Sequence, residues 1–454
     1  MVEKKEEKEE KEKIDKSLKL SIAEGSSYAV MDGVGNAYIS PFAIAMNASN
    51  AQIAALTSIP SLVAPFFQLK TASILEKVGS RKKIILANIF MHSFLWLPIL
   101  LIPFLFLKNG PLILIIFFSL AVIVSSFINP VWMSWMGDIV PENQRGRYFG
   151  KRSEIIGLVG LISMLLAGFF LDLFPKNEVF IGFAILFIIA IIARLFSGVL
   201  FARIYEPKLI IKKEFEFGFI DFIKKMWTTN FGRYTIYMML IYLVVMIASP
   251  FFTVYLLREL KFSYTIYTII NVFSALASLF SMPLWGKIAD RFGNVKVMRL
   301  TGLLIPLVPI LFIFSPNQYY LMVIQTYSGF VWAGFGLSSG NFVFDAVGRE
   351  KRAVCVSYLN ILSGVGIFIG ASIGGYLATN LDIGFMNIFL FIFLVSAILR
   401  FGVSASMLPL IKEERKVDEK PLYSIIGLKL NNIAHGFHHH MLHDITEKKD
   451  DKPK

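Results

Sequence analysis

Asp32, in the run "YAVMDGVGNAYIS" (28–40), is a carboxylate set among apolar residues. A carboxyl group cut off from water holds its proton more tightly and can carry it between two states of a protein. That is the chemistry of ion coupling. Glu24, eight residues earlier, reads as a helix cap or a partner for a basic loop. A second kind of chemistry lies in two short charged turns, "GKIADRFGNVK" (286–296) and the looser "EKVGSRKK" (76–83). Each joins an acid to basic residues and a glycine: Asp290, Arg291, Gly286 and Gly293 in one, Glu76, Lys77, Gly79 and Arg81 in the other. Glycine permits a tight reversal, and an acid at a turn can dock on the positive end of a neighbouring helix. Asp138 precedes Arg145 by seven residues, and Asp345 precedes Arg352 by seven, a spacing expected to tie adjacent helices through ion pairs.

Other reactive types fall short. "GRYFGKRS" (146–153) has three residues between its glycines where a P-loop has four, and Arg152 stands where the magnesium-binding hydroxyl belongs. Five of the six histidines crowd into "AHGFHHHMLH" (434–443), without the ordered spacing of a metal site, so no metal and no cofactor is expected.

Twelve apolar runs must position these groups: roughly 27–49, 51–74, 84–107, 111–137, 153–175, 178–203, 231–257, 263–286, 298–316, 319–345, 352–378 and 384–410. Each is long enough to span a bilayer, which takes about 20 apolar residues. The chain is 56% hydrophobic and 17% charged, against roughly 25% charged for a soluble protein. An all-α, multi-pass membrane protein is the reading. The net charge of +13 is no nucleic-acid signal, because Lys and Arg gather after the even-numbered spans. That asymmetry predicts cytoplasmic termini. One cysteine, Cys355, excludes an internal disulfide. Residues 1–20 lack the apolar core of a signal peptide and read as a charged disordered or fraying helical segment.

The chain divides into a charged cytoplasmic tail (1–26), a six-helix bundle (27–203), an amphipathic cytoplasmic linker (204–230), a second six-helix bundle (231–410) and a tail with an interfacial amphipathic helix (411–454). The bundles repeat each other. Asp138 and Asp345 are displaced by 207 residues, Arg194 and Arg400 by 206, and the two charged turns by 214. Parallel repeats of this kind are a transporter architecture. Arg194 and Arg400 read as side chains reaching back to the cytoplasmic interface. The glycines of the fifth and eleventh spans, among them Gly157, Gly160, Gly168, Gly364, Gly366, Gly370, Gly374 and Gly375, read as sliding surfaces between the halves.

The turn at 286–296 closely resembles the loop signature of the major facilitator superfamily, and the turn at 76–83 resembles its first-half form, with Ala72 and Glu76 in place of glycine and aspartate. The resemblance covers roughly residues 20–410. It implies two pseudo-symmetric six-helix bundles and secondary transport of a small organic solute by rocker-switch alternating access in a cell membrane, with a monomer as the working unit. It implies that Glu76 meets region 349–355, and Asp290 region 146–151, when the cytoplasmic side is shut.

The first, fourth, seventh and tenth spans of the resembling family line the solute cavity. They supply Asp32, Asn36, Tyr38, Asn129, Trp132, Tyr242, Gln325 and Trp332, with Asn271 and Asn360 beside them. Amides and aromatic faces suit a neutral or weakly charged organic solute or a lipophilic cation. Asp32 is the candidate proton carrier. The fifth span holds no Gly-Pro pair, a feature common in the family's drug antiporters, and its absence weakens an efflux-pump reading. A membrane-embedded lipid-modifying enzyme, or a receptor-like relative that moves nothing, stays open as an alternative.

Overall fold

The computed structural model describes residues 2–106, 108–141, 144–207, 218–348 and 350–417, with backbone alone for 2–11. The linker interior at 208–217, Arg349 and the histidine-rich segment lie outside the described residues. The described residues form helices and turns. The first half holds α1 (Val2–Val34), α2 (Ile39–Ala45), α3 (Asn50–Gln68), α4 (Thr71–Val78), α5 (Arg81–Leu105), α6 (Gly110–Ser126), α7 (Ile128–Ile139), α8 (Arg145–Leu171) and α9 (Val179–Ala202). The short α10 (Phe219–Lys225) leads to the second half. That half holds α11 (Asn230–Met246), α12 (Ser249–Val254), α13 (Tyr264–Phe292), α14 (Asn294–Leu304), α15 (Leu307–Leu311), α16 (Gln318–Ala346), α17 (Arg352–Asn380) and α18 (Ile388–Met407).

Among the described residues nine helices are long and apolar enough to cross a membrane, and ten when α3 and α4, bent by 47°, count as one span. Two further segments, α1 with α2 and α16, hold the first and tenth positions in the chain. They carry polar residues along their length, Glu24, Asp32 and Asn36 in one, Gln325, Ser338, Ser339 and Asn341 in the other. Side-chain caps set where several spans begin. Ser49 accepts from Gln52 N, Ser80 from Lys83 N, Ser263 from Ile266 N and Asn317 from Tyr319 N.

The first span starts earlier than hydropathy suggests. α1 runs unbroken across residue 26, and Ser17, Ser21 and Glu24 are all buried. Their polarity lowers local hydropathy, yet neighbours supply hydrogen bonds: Ser17 Oγ accepts from Tyr205 N, and Glu24 Oε1 from Ser197 Oγ. Asp32 therefore lies about 22 Å along the helix from Ser17, at 1.5 Å per residue, not near the span's start.

The charged turns, both ends of the described chain and α10 share one face of the bundle, here the terminal face; the opposite face is the distal face. On the distal side one large apolar core draws from both halves, including Tyr38, Leu171, Tyr267, Ile270 and Ala371. On the terminal side the cores are separate, one around Ile85, Trp135 and Phe201, another around Tyr234, Phe335 and Phe342. The halves are thus fused at one end and parted at the other.

The glycines of α17 correct an expectation. A Cβ at Gly366, Gly370 or Gly374 would run into the carbonyl oxygens of Met239, Leu243 and Ile247, on α11 or one residue beyond it, in the same half. Only Gly364, over Ser61 O, and Gly375, against Ala54, face the first half, on α3. In α8, Gly168 sits against Thr268 of the other half, whereas a Cβ at Gly157 would meet nothing. The periodicity of small residues names a face without naming the helix opposite.

Candidate functional site

Every side-chain hydrogen bond that crosses between the halves, among the described residues, lies in the distal part of the seam. Asp172, just past α8, accepts from Tyr264 N at 2.9 Å and Thr265 N at 2.8 Å, the first amides of α13. A carboxylate on a helix N-terminus in this way is a charge-assisted cap. Arg258 donates to Ala48 O at 2.6 Å and Asn50 Oδ1 at 3.0 Å, and Asn50 Nδ2 donates to Ala378 O at 2.8 Å. Tyr38 Oη donates to Met164 O at 2.7 Å and shares a 2.6 Å hydrogen bond with Thr268 Oγ1. At the terminal face the described residues show no hydrogen bond or ion pair of this kind between the halves. The chain is in a state shut at the distal face and open at the terminal one.

Gly79, at φ 67°, closes α4, and Gly293, at φ 96°, separates α13 from α14. Both turns need the left-handed region where a Cβ is strained. Glu76 and Lys77 are exposed, and among the described residues no hydrogen bond or ion pair joins Glu76 to the start of α17 or Asp290 to the start of α8. The ion pairs expected across the loops are corrected. Asp138 pairs with Arg81 at 2.7 Å, while Arg145 donates to Gly137 O and Val140 O. Asp345 pairs with Arg415 at 3.2 Å, while Arg352 donates to Phe344 O and Val347 O. The reason is local. The last carbonyls of α7 and α16 have no helical partners, so the nearest arginine caps them.

The cavity candidates divide. Asp32 is exposed and accepts from Asn36 Nδ2 at 2.8 Å, on the face of α1 left uncovered by its packing partners α8 and α9. Asn129 is exposed, and Gln325 and Asn360 are half-buried; the side-chain amides of all three bond no other described residue and are free for water or solute. Asn271 turns back to Tyr267 O, and Tyr242 and Trp332 are half-buried. Tyr38 is corrected: it is 0% exposed, its hydroxyl spent on the seam, so no solute reaches it in this state.

Sequence reasoning missed a buried charge cluster. Glu24, 6% exposed, accepts from Ser197 Oγ at 2.8 Å and lies 3.6 Å from Arg152. Arg194, 3% exposed, donates to Ser197 Oγ at 3.3 Å and stacks 4.7 Å from the Tyr28 ring. Arg152 lies 4.3 Å from the ring of Trp132, which ties that cavity candidate to the cluster. His92 is buried within the same bundle, 6.3 Å from Trp96 between ring centres. Arg194 does not reach for the interface; neither does Arg400, 1% exposed, which donates to Val245 O and Ser396 Oγ. Each arginine turns inward to the first helix of its own half. The matched displacement of 206 residues was the available signal.

Two fused helical bundles, parted at one face, with nine or ten helices long and apolar enough to cross a membrane among the described residues, define a polytopic membrane protein. Residues 20–239 and 234–428 match the profile of the Major Facilitator Superfamily, and the chain belongs to that family. Among curated proteins it is similar to the multi-drug resistance efflux pump PmrA of Streptococcus pneumoniae serotype 4, 28% identical over 159 residues, 35% of this chain and 39% of the pump. The PmrA homolog of Lactococcus lactis is 29% identical over 118 residues, 26% of this chain and 28% of that protein. The chain thus matches less than half the length of these relatives. Among solved structures, a D-xylose–proton symporter superposes with TM-score 0.69 at 10% identity, over 89% of this chain and 99% of that one. The nucleoside transporter NupG superposes with TM-score 0.64 at 15% identity, over 88% and 99%. At such identities these likenesses speak for the fold.

Proposed function

We propose that the protein is a secondary active transporter that moves a small organic solute by alternating access, with protons as the coupling ion and a monomer as the working unit. The observation that carries this reading is the one-sided seam. Asp172, Arg258, Asn50 and Tyr38 lock the halves at the distal face while the terminal face stands open. Such an arrangement is one end state of a pair, and rocking the bundles about the seam would reach the other. The basic terminal face supports a cytoplasmic placement of both termini in a cell membrane. The acids of the charged turns, Glu76 and Asp290, would then bind the starts of α17 and α8 in the closed state.

For the solute, the names of the relatives, multi-drug resistance efflux pumps, favour a drug-like organic compound and outward movement. Asp32 with Asn36, and the aromatic faces of Trp132, Tyr242 and Trp332, offer the matching chemistry. This direction runs against the expectation drawn from the missing Gly-Pro pair, which weakened an efflux reading. Proton carriage is assigned to the carboxylates of α1, Glu24 as well as Asp32. The family and its neighbours are transporters, and transport is favoured over membrane-embedded catalysis.

Purified protein in proteoliposomes with an imposed pH gradient, and ethidium as the probe, tests the reading. Saturable, gradient-dependent flux is expected. Flux no greater than in empty vesicles, across ethidium and a panel of organic cations and neutral solutes, would sink it.

A further inference from the structure

The two halves hold their charged turns by the same device, but in the second half one piece comes from a different part of the chain. In the first half Arg81 pairs with Asp138 at 2.7 Å, and Glu206, beyond α9, caps the start of α5 through Lys82 N at 3.1 Å. The 214-residue displacement of the turns puts Val295 opposite Arg81, so the second half has no arginine there. Glu413 lies 207 residues from Glu206, the displacement that relates Asp138 to Asp345. Its Oε2 accepts from Val295 N at 2.8 Å, at the start of α14. Two residues on, Arg415 supplies the missing cation. Its Nε lies 3.2 Å from Asp345, its Nη2 donates to Ala289 O at 3.0 Å, and its Nη1 lies 3.9 Å from Asp290. Asn230 pins the segment just before them, donating to Lys412 O and accepting from Lys412 N.

We infer that Arg415 is an internal competitor of the terminal-face gate: it holds Asp290 in the open state against the start of α8. The inference builds on the proposed gate role of Asp290. Arg81 pairs with Asp138 alone and leaves the first-half turn acid, Glu76, unengaged, whereas Arg415 bridges Asp345 and the turn acid itself. The gate of the second half is therefore charge-compensated by the segment that follows α18, and the gate of the first half is not. Asp290 stays 80% exposed beside Arg415, so the pair is weak enough to be exchanged for a helix N-terminus when the halves close. Arg415 acts through Asp290 and is a positioning residue.

The test uses the full chain in lipid nanodiscs, with spin labels at Ser73→Cys and Lys287→Cys, both exposed on opposite halves of the terminal face, and the buried sole cysteine replaced by Cys355→Ser. Distance distributions report the closed population. Arg415→Gln is expected to raise it about threefold, the scale of an exposed ion pair. Arg415→Lys keeps the charge and stays near the parent value. Asp290→Asn lowers the closed population, and the Arg415→Gln/Asp290→Asn double variant matches Asp290→Asn alone. If Asp290→Asn shifts the distribution but Arg415→Gln does not, the competitor role is wrong and the gate survives. If Arg415→Gln acts equally with or without Asp290, its role is merely structural and the inference is overturned. If Asp290→Asn changes nothing, the gate reading itself fails, and the inference with it.

Discussion

Glu24 on α1 and Arg152 on α8 face each other at 3.6 Å inside the first bundle, with Arg194 of α9 reaching the same carboxylate through Ser197. Three helices of one half thus meet on a single acid. Arg152 follows the stretch 146–151, where the acid of the opposite turn would dock. Its guanidinium also stacks on Trp132. A proton on Glu24 would weaken the hold on Arg152 and release the start of α8, which links the charge state of α1 to the gate.

Glu24→Gln is accordingly expected to flatten the pH dependence of ethidium flux in proteoliposomes while leaving binding measurable. The charged groups around it are Arg152 on α8 and Arg194 on α9, with the neutral phenols of Tyr148 on α8 and Tyr28 on α1 beside them. Losing the carboxylate's charge leaves Arg194 buried without a compensating anion, so stability should fall by on the order of 3 kcal/mol, read by thermal unfolding. The companion variant is Asp32→Asn. A flat pH profile there, with an unchanged one for Glu24→Gln, would move the coupling site to Asp32.

At the distal face Asp172 and Arg258 are the charged members of the seam. Replacing either by alanine frees two hydrogen bonds that tie one half to the other. A lost helix cap costs about 1 kcal/mol, enough to raise the distal-open population several-fold. A cysteine in place of Thr268, 0% exposed beneath Tyr38, should then react faster with an impermeant maleimide added from the distal side. Equal labelling rates in Asp172→Ala, Arg258→Ala and the parent would show that these contacts do not hold the seam.

The sequence announced the spans, the paired turns and the repeat, because apolar length, glycine spacing and charge asymmetry are local properties. It could not announce contacts between residues far apart in the chain. Glu24 reads as lying outside the first span because its polarity depresses hydropathy, yet Ser197 and Arg194, some 170 residues away, make its burial tolerable. Tyr38 reads as a solute contact because tyrosine suits both roles; only the arrival of Thr268 from the other half decides for the seam. Arg145 and Arg352 follow acids at a tempting spacing, but the nearer unsatisfied carbonyls take their donors. The glycines of α17 repeat every four residues, and nothing in that period says whether α3 or α11 lies opposite.

Those glycines give a last, sharply graded expectation. At Gly370 an added Cβ would fall on Leu243 O, with Leu243 C and Cα also within about 3 Å, all backbone that cannot swing aside. Gly370→Ala must push α17 off α11, and overpacking of this kind costs about 1–3 kcal/mol. At Gly157 a Cβ meets nothing within 4 Å, so Gly157→Ala should be neutral or slightly stabilising, since alanine favours the helix. Gly364→Ala differs in kind. Its Cβ would strike Ser61 O across the seam, so it should loosen the packing of α17 on α3 as well as lower the unfolding temperature. Thermal unfolding in detergent, ranked across the three variants, checks the order. A Gly157→Ala protein as unstable as Gly370→Ala would mean that the α11–α17 contact is not the close backbone approach described.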